Sequence, residues 1–231
     1  MRFLVTAGNT REKIDRVRDW GNVFTGNTGY SIARAIAALG TVDLITSNRT
    51  HLAEVDGKQI RGAGFASHSE LKSALETALK QNHYDAIFMT AAIADYKPAG
   101  SFQIVDRKPC ADGTEIWTVR DVQAAKVKGN YNEIAILGQR TEKLVDLFRT
   151  TWGYRGLLVK FKLEVGIAPE RLIQIGQASR KASGADYLVA NTLEMVEGDR
   201  AGAYLLSDSG EEWVPRAELA ARMVRVVKET L

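Results

Sequence analysis

Cysteine is all but absent from the 231-residue sequence: Cys110 stands alone. No internal disulfide can form, and the residue lies in a Pro-Cys-Ala-Asp-Gly turn without a CxxC pattern, so it reads as incidental. No apolar run approaches the ~18 residues that a membrane-spanning helix needs. The opening MRFLVTAG turns polar too soon for a signal peptide. No membrane partner is therefore expected, and the expected address is the cytoplasm. Charge of one sign is scarce too, since 31 basic against 28 acidic residues leave a net +3. Without a clustered patch that implies no nucleic acid partner. A Walker A sequence, a G-x-S-x-G elbow and a zinc-binding H-E-x-x-H helix are all missing. His51, His68 and His83 fall in connections or on a helix surface and are not read as catalytic.

What is present describes an ordinary globular chain. Its 45% hydrophobic and 26% charged residues exclude the disordered and fibrous classes, and a domain of this length buries roughly 70 to 75% of its unfolded surface. Phe3 to Ala7 is a short apolar run ending at Gly8, the pattern of a parallel strand buried on both faces. Ile32, Ala33, Ile36, Ala37 and Leu39 form a helical stripe between Tyr30 and Leu39, stopped by Gly40, and Val42 to Thr46 reads as the next strand. Residues 47 to 66 read as a connection with a short strand near Ile60. A helix follows from Ser69, with Leu71, Ala74, Leu75, Ala78 and Leu79 inward, and then a buried strand from Asp85 to Thr90.

From Lys97 to about Gln139 the pattern changes. Alternating stretches (Phe102 to Val105, Glu115 to Val119, Ala124 to Lys128, Glu133 to Leu137) are separated by turn residues, which predicts an inserted antiparallel ribbon or flap. Thr141 to Thr151 returns to helix, Gly156 to Phe161 is a strand, Pro169 opens a helix ending near Ser183, and Asp186 to Ala190 is a strand. Ala203 to Leu206 and a terminal helix close the chain. The expected fold is α/β, a Rossmann-like doubly wound, mostly parallel sheet, forming one nucleotide-binding domain over residues 1 to 231 with the ribbon inserted at about 97 to 139.

The stretch from Phe3 to Gly29 carries the chemistry. Gly8, Gly26 and Gly29 permit close backbone approach, Asn9, Thr10, Asn22 and Thr25 offer neutral hydrogen-bonding groups, and Arg11, Arg16 and Arg18 offer positive charge. The glycine spacing is not the dinucleotide fingerprint, because seventeen residues separate Gly8 from Gly26-Asn-Thr-Gly29. A GxxG before a helix serves a phosphate or close helix–strand packing equally well. Asp85 to Thr90 delivers Ala91-Ala-Ile-Ala-Asp-Tyr-Lys-Pro98 to the carboxyl end of its strand, where open α/β sheets hold ligands. Asp95 could also cap that turn, and Lys126 and Lys128 could be a solvated lysine face.

Four separated motifs resemble the phosphopantothenoylcysteine synthetases (phosphopantothenate-cysteine ligases) of coenzyme A biosynthesis. Thr6-Ala-Gly-Asn-Thr-Arg-Glu-Lys-Ile-Asp-Arg-Val-Arg18 is similar to the family's TAGGTREPIDPVR stretch, and Asn22-Val-Phe-Thr-Gly-Asn-Thr-Gly29 to its N-x-S-S-G-x-x-G loop. Ala91-Ala-Ile-Ala-Asp-Tyr96 matches AAVADY, and Lys126-Val-Lys128 stands where the family has K-I-K. Phe161-Lys-Leu-Glu164 and Val189-Ala-Asn191 resemble its FKLET and VAN segments. The resemblance implies a ligase that uses CTP or ATP with Mg2+ to join 4'-phosphopantothenate to cysteine through an acyl-nucleotide. It assigns catalysis to Asn22 and Lys126, substrate binding to Arg18, Asn22, Ala91, Ala92 and Asp95, and nucleotide binding to Gly8, Thr25, Gly26, Gly29, Lys126, Lys128, Phe161 and Asn191. The magnesium ligands are not identified.

It also implies a homodimer, through the ribbon, in which Arg18 reaches the neighbour's substrate phosphate. No flavoprotein decarboxylase region accompanies these motifs, so no flavin is expected. Four places depart from the pattern: Phe24 replaces the first serine of the loop, Gly129 the last lysine of the longer bacterial motif, Lys160 the small residue before the phenylalanine, and Thr141-Glu-Lys143 stands where the bacterial forms have Asn-Pro-Asp. Two other readings stand beside the ligase. One is a nucleotide-binding protein of this fold without ligase activity, and the other an NAD(P)-dependent oxidoreductase, which the missing fingerprint disfavours.

Overall fold

A computed structural model describes every residue except 56, 197, 199 and 200. The chain runs β1 (Arg2–Ala7), β2 (Arg11–Lys13), β3 (Asp19–Gly21), α1 (Asn27–Ile36), β4 (Thr41–Thr46), α2 (Arg49–Glu54), β5 (Ile60–Gly64), α3 (His68–Gln81) and β6 (Ala86–Met89). It continues through β7 (Tyr96–Pro109), β8 (Glu115–Asp121), β9 (Ile134–Arg140), α4 (Leu144–Thr150), β10 (Leu157–Glu164), α5 (Pro169–Ser183), β11 (Tyr187–Thr192), β12 (Gly202–Ser207), β13 (Gly210–Pro215) and α6 (Leu219–Thr230).

The apolar run of β1 is buried because parallel neighbours flank it on both edges: Val5 lies opposite Leu44 of β4 and Phe88 of β6. The resulting eight-stranded sheet has the order β13-β12-β11-β10-β6-β1-β4-β5. Its two faces take alternate residues of each strand. Phe3 and Val5 pack with Ile32, Ile36, Met223 and Val226 under α1 and α6. Leu4, Ile87 and Leu158 pack with Leu71, Leu75 and Phe148 under α3 and α4. Each fully buried Leu, Ile or Phe contributes roughly 1.5 to 3 kcal/mol, so these two layers outweigh any single polar contact. The doubly wound, mostly parallel sheet is as expected, with β12 and β13 as an antiparallel edge.

The details differ from the sequence reading at four places. The loop after Gly8 contains the short β2–β3 hairpin, which has no apolar alternation to announce it. The connection 47 to 66 contains α2, whose Asn48 side chain caps the Thr50 N–H at 3.0 Å. Gly210 to Pro215 adds β13, absent from the sequence reading. The segment Ala124 to Lys128 is not a strand: the separate antiparallel sheet has three strands in the order β8-β7-β9, with the 14-residue β7 in the middle. Among the described residues no helix is long and apolar enough to cross a membrane.

Candidate functional site

Strands β1 and β6 lie side by side, yet the chain leaves β1 toward β4 and returns to β6 on the other edge. Their carboxyl ends therefore flank the point where the strand order reverses, the position at which doubly wound sheets open a crevice. The two loops leaving that point are stitched together. Thr6 Oγ1 accepts from the N–H groups of Thr90 and Ala91, each at 3.1 Å. The Ala92 N–H donates to the Gly8 carbonyl at 2.9 Å, and the Thr10 N–H returns to the Ala92 carbonyl at 3.1 Å. Thr10 Oγ1, fully buried, accepts from Ala94 N–H at 2.8 Å. Backbone groups at Gly8, Ala91 and Ala92 are thereby held rigidly against the crevice.

The glycine loop closes on this platform from above. Gly26 has φ of 82°, and a β-carbon there would fall 2.0 Å from the Gly8 nitrogen; one on Gly29 would fall 2.1 Å from Thr90 Oγ1. Close packing thus requires both glycines, one of the two uses that the GxxG spacing left open. The same packing leaves the N-terminus of α1 without a side-chain cap, so its first amides remain available to an acceptor.

Two adjoining cavities result. The first, about 210 Å³, is lined by Gly8, Thr25, Gly26, Gly29, Phe161 and Asn191. The second, about 310 Å³, is lined by Asn22, Asp95, Lys143, Lys160 and Ser179. Phe24, Ala91, Ala92 and Phe161 border both. The Asn22 carbonyl is held by the Asn9 side chain, while its carboxamide makes no hydrogen bond among the described residues. Asp95 is exposed, and it is its backbone carbonyl, not its carboxylate, that accepts from Thr141 N–H at 2.9 Å. Among the described residues the carboxylate caps no turn. Phe161, at the end of a buried run, is half-exposed and faces the crevice.

Arg18, Lys126 and Lys128 line neither cavity. Arg18 is held within its own chain, 2.8 Å from Asp15 and donating to the Val127 carbonyl. The two lysines flank Val127, are exposed, and have no ion-pair partner among the described residues.

Two residues beyond the expected set belong to this region. Lys160 is only 8% exposed, and its ammonium donates to the Ser179 carbonyl at 3.1 Å, to Ser179 Oγ at 3.0 Å and to Ser183 Oγ at 3.1 Å. Burial pushes its pKa down to about 8. Two sequence signals marked it, a lysine inside the apolar run of β10 and its departure from the family's small residue there, while its serine partners come from α5. His51, set aside on sequence grounds, is also buried and contacts Asn27 at the start of α1. Among the described residues no group of three or more His, Cys, Asp or Glu gathers to hold a metal ion. Asp95, a carboxylate at the crevice, fits a hard cation that takes only one or two protein oxygens.

Comparison with known proteins agrees with this architecture. The family model described as the DNA/pantothenate metabolism flavoprotein C-terminal domain matches residues 1–109. The "Coenzyme A biosynthesis bifunctional protein CoaBC" of Mycolicibacterium smegmatis is 30% identical over 220 residues, covering 92% of this chain and 48% of that protein. The chain spans about half the length of the curated relatives it matches. Among solved structures, the DNA/pantothenate metabolism flavoprotein from Streptococcus pneumoniae superposes with a TM-score of 0.82 at 21% identity, covering 99% of both chains. A Cab2 mutant in complex with phosphopantothenate-cysteine gives a TM-score of 0.68 at 14% identity, over 99% of this chain and 85% of that one. With its crevice and its glycine loop, the chain is thus similar over residues 1–109 to the DNA/pantothenate metabolism flavoprotein C-terminal domain and over nearly its full length to the bifunctional CoaBC proteins.

Proposed function

We propose that this chain joins 4'-phosphopantothenate to cysteine at the expense of CTP or ATP, in the cytoplasm and as a homodimer. The observation that carries the reading is the pair of adjoining cavities with a shared wall at Phe24, Ala91, Ala92 and Phe161. Two substrates bound there meet at the wall, which is what an acyl-transfer through a mixed anhydride demands.

In the first step the pantothenate carboxylate attacks the α-phosphorus of the nucleotide. A carboxylate–phosphorus bond forms, and the bond to the leaving pyrophosphate breaks. The amine of cysteine then attacks the acyl carbon, and the nucleoside monophosphate leaves as the amide forms. The amides at Gly26 and Gly29 and the uncapped start of α1 offer donors to the triphosphate. Phe161 and Asn191 bound the base, with Thr25 and Gly8 beside the phosphates. Asn22 orients the anhydride carbonyl with a neutral carboxamide that does not repel phosphate, and Ala91, Ala92 and Asp95 hold the pantothenate amide region.

Lys126 acts on the reacting phosphoryl group from the ribbon, with Lys128 beside it. For that the lysine segment and the β2–β3 turn that holds it move inward together, since neither lysine lines a cavity. The ribbon also carries exposed Ile116, Trp117, Val119 and Leu137, an apolar surface suited to pairing two copies and bringing Arg18 to the neighbour's substrate phosphate. A magnesium ion bound with the nucleotide would supply charge neutralisation on its phosphates, with Asp95 as the carboxylate near enough to the crevice to hold it.

The test is pyrophosphate release with phosphopantothenate, Mg2+ and either CTP or ATP, followed by amide formation on adding cysteine. Absence of pyrophosphate with both nucleotides overturns the reading. An active monomer in equilibrium sedimentation overturns the dimeric part alone.

A further inference from the structure

Asp15 lies in the turn between β2 and β3, and its side chain is wholly buried. One carboxylate oxygen accepts from Val17 N–H at 2.8 Å and Arg18 N–H at 2.9 Å, which shapes the turn. The other accepts from Val127 N–H at 3.1 Å, 112 residues away in sequence, and lies 2.8 Å from the Arg18 guanidinium. That guanidinium also donates to the Val127 carbonyl. Both backbone groups of Val127 are thus engaged by the Asp15 and Arg18 pair, and its side chain is 1% exposed. Two weaker ties run in parallel: Arg16 N–H to the Ala125 carbonyl at 3.0 Å and the Gln123 side chain to the Ile14 carbonyl at 3.3 Å.

The long connection from β8 to β9, residues 122 to 133, contains no regular element of its own. A loop of this length has many conformations to lose on ordering. Val127 is its sole buried residue, and the residues on either side of it, Lys126 and Lys128, are both exposed. A pin at Val127 therefore decides where both ammonium groups stand. The pin is strong because four donors satisfy one buried carboxylate, and a charge so placed is costly to strand. The backbone N–H of Val17 first, together with the other donors, holds the Asp15 pKa below the ordinary carboxylate range, so the pin persists across the neutral range.

We infer that Asp15 is a positioning residue: it registers the Lys126-Val127-Lys128 segment on the β2–β3 turn, so that Arg18 and the two lysines are presented as one unit. What the lysines do there rests on the ligase reading; the pin itself does not.

Hydrogen exchange on the full chain tests the pin without reference to activity. In Asp15→Asn, which keeps the shape but removes the charge, the segment 122 to 130 is expected to exchange at least about tenfold faster, with β1 unchanged. Unchanged exchange overturns the inference. Should that variant unfold, Val127→Pro removes the N–H from the other side and is expected to free the same segment; if it too leaves exchange unchanged, the inference falls. For turnover, Asp15→Asn is expected to lower kcat for pyrophosphate release about ten- to a hundred-fold in the wild-type background, and less than about threefold further in Lys126→Gln. A loss equal in both backgrounds overturns the positioning role. A wild-type chain releasing no pyrophosphate overturns the ligase reading, and the exchange experiment still judges the pin.

Discussion

Gly26 rests on the backbone of Gly8 so closely that a β-carbon added to it would lie 2.0 Å from the Gly8 nitrogen and 2.6 Å from the Gly8 α-carbon. The atoms it would strike are backbone, so nothing there can swing aside. Gly26→Ala also places a side chain in the left-handed region, which by itself costs about 1 to 3 kcal/mol. The expected outcome is a loss of at least that size in urea denaturation, together with loss of nucleotide binding in calorimetry. A variant that retains wild-type stability and affinity would show that the loop sits further from β1 than described.

Phe24 stands between the two cavities where relatives in the resemblance have serine. Phe24→Ser introduces a hydroxyl within reach of the glycine loop and removes the shared aromatic wall. One hydrogen bond to a charged phosphate is worth about 1.5 to 3 kcal/mol, so CTP or ATP is expected to bind at least about tenfold more tightly in calorimetry. Equal or weaker binding would assign the phenyl ring itself a contact with the nucleotide.

Much of this architecture is legible in the sequence, and the parts that are not share a cause. α1 and α3 announce themselves because a buried face repeats at period 3.6 within one segment, β1 and β6 because a continuous apolar run marks a strand buried on both faces, and α5 because Pro169 opens it. The hairpin β2–β3 has three residues per strand and only Glu12 among them buried; too few positions exist for a period. Helix α2 has six residues and depends on its Asn48 cap. The Ala124 to Lys128 segment alternates like a strand, but its register comes from the distant Asp15 carboxylate rather than from a ladder. The crevice was legible where strand-end logic applies, at Gly8 and Ala91 to Asp95. Lys160 was not, because its burial depends on Ser179 and Ser183 of another element.

His51 supports the glycine loop from beneath. Its ring stacks on Tyr30 with centroids 4.3 Å apart, and its Nε2 lies 3.1 Å from Asn27 Oδ1. Nδ1 is buried with no hydrogen-bond partner among the described residues. Protonating it would bury a charge, so burial lowers the pKa from 6.5, opposed only partly by Glu54. The folded protein then resists a proton that the unfolded chain accepts. The stability from neutral His51 is complete above about pH 6.5 and is lost as pH falls toward the lowered folded value. Melting temperatures at pH 7.5 and 5.5 are expected to fall more steeply for the wild type than for His51→Gln. Parallel slopes would remove His51 from the acid response.

Lys160 carries the same sign of pH response in a higher window. Its ammonium is buried, and desolvation brings the pKa to about 8 from 10.5 despite its three acceptors. Between these values the unfolded chain holds a proton that the folded protein has released, so stability rises with pH across that window. The span corresponds to a few kcal/mol at most, on the order of 3 to 4. Tyr84 and Tyr154 act against it at higher pH, because burial raises both phenols and the unfolded chain ionises first. The difference between wild type and Lys160→Met isolates the lysine, since the tyrosines are common to both. Urea denaturation at pH 7.5 and 9.5 is expected to show the methionine variant gaining relative stability at pH 7.5 and losing that advantage at 9.5. A pH-independent difference would mean that Lys160 stays charged throughout. In that case its serine cage, rather than burial, sets its protonation, and the second cavity keeps a fixed positive floor.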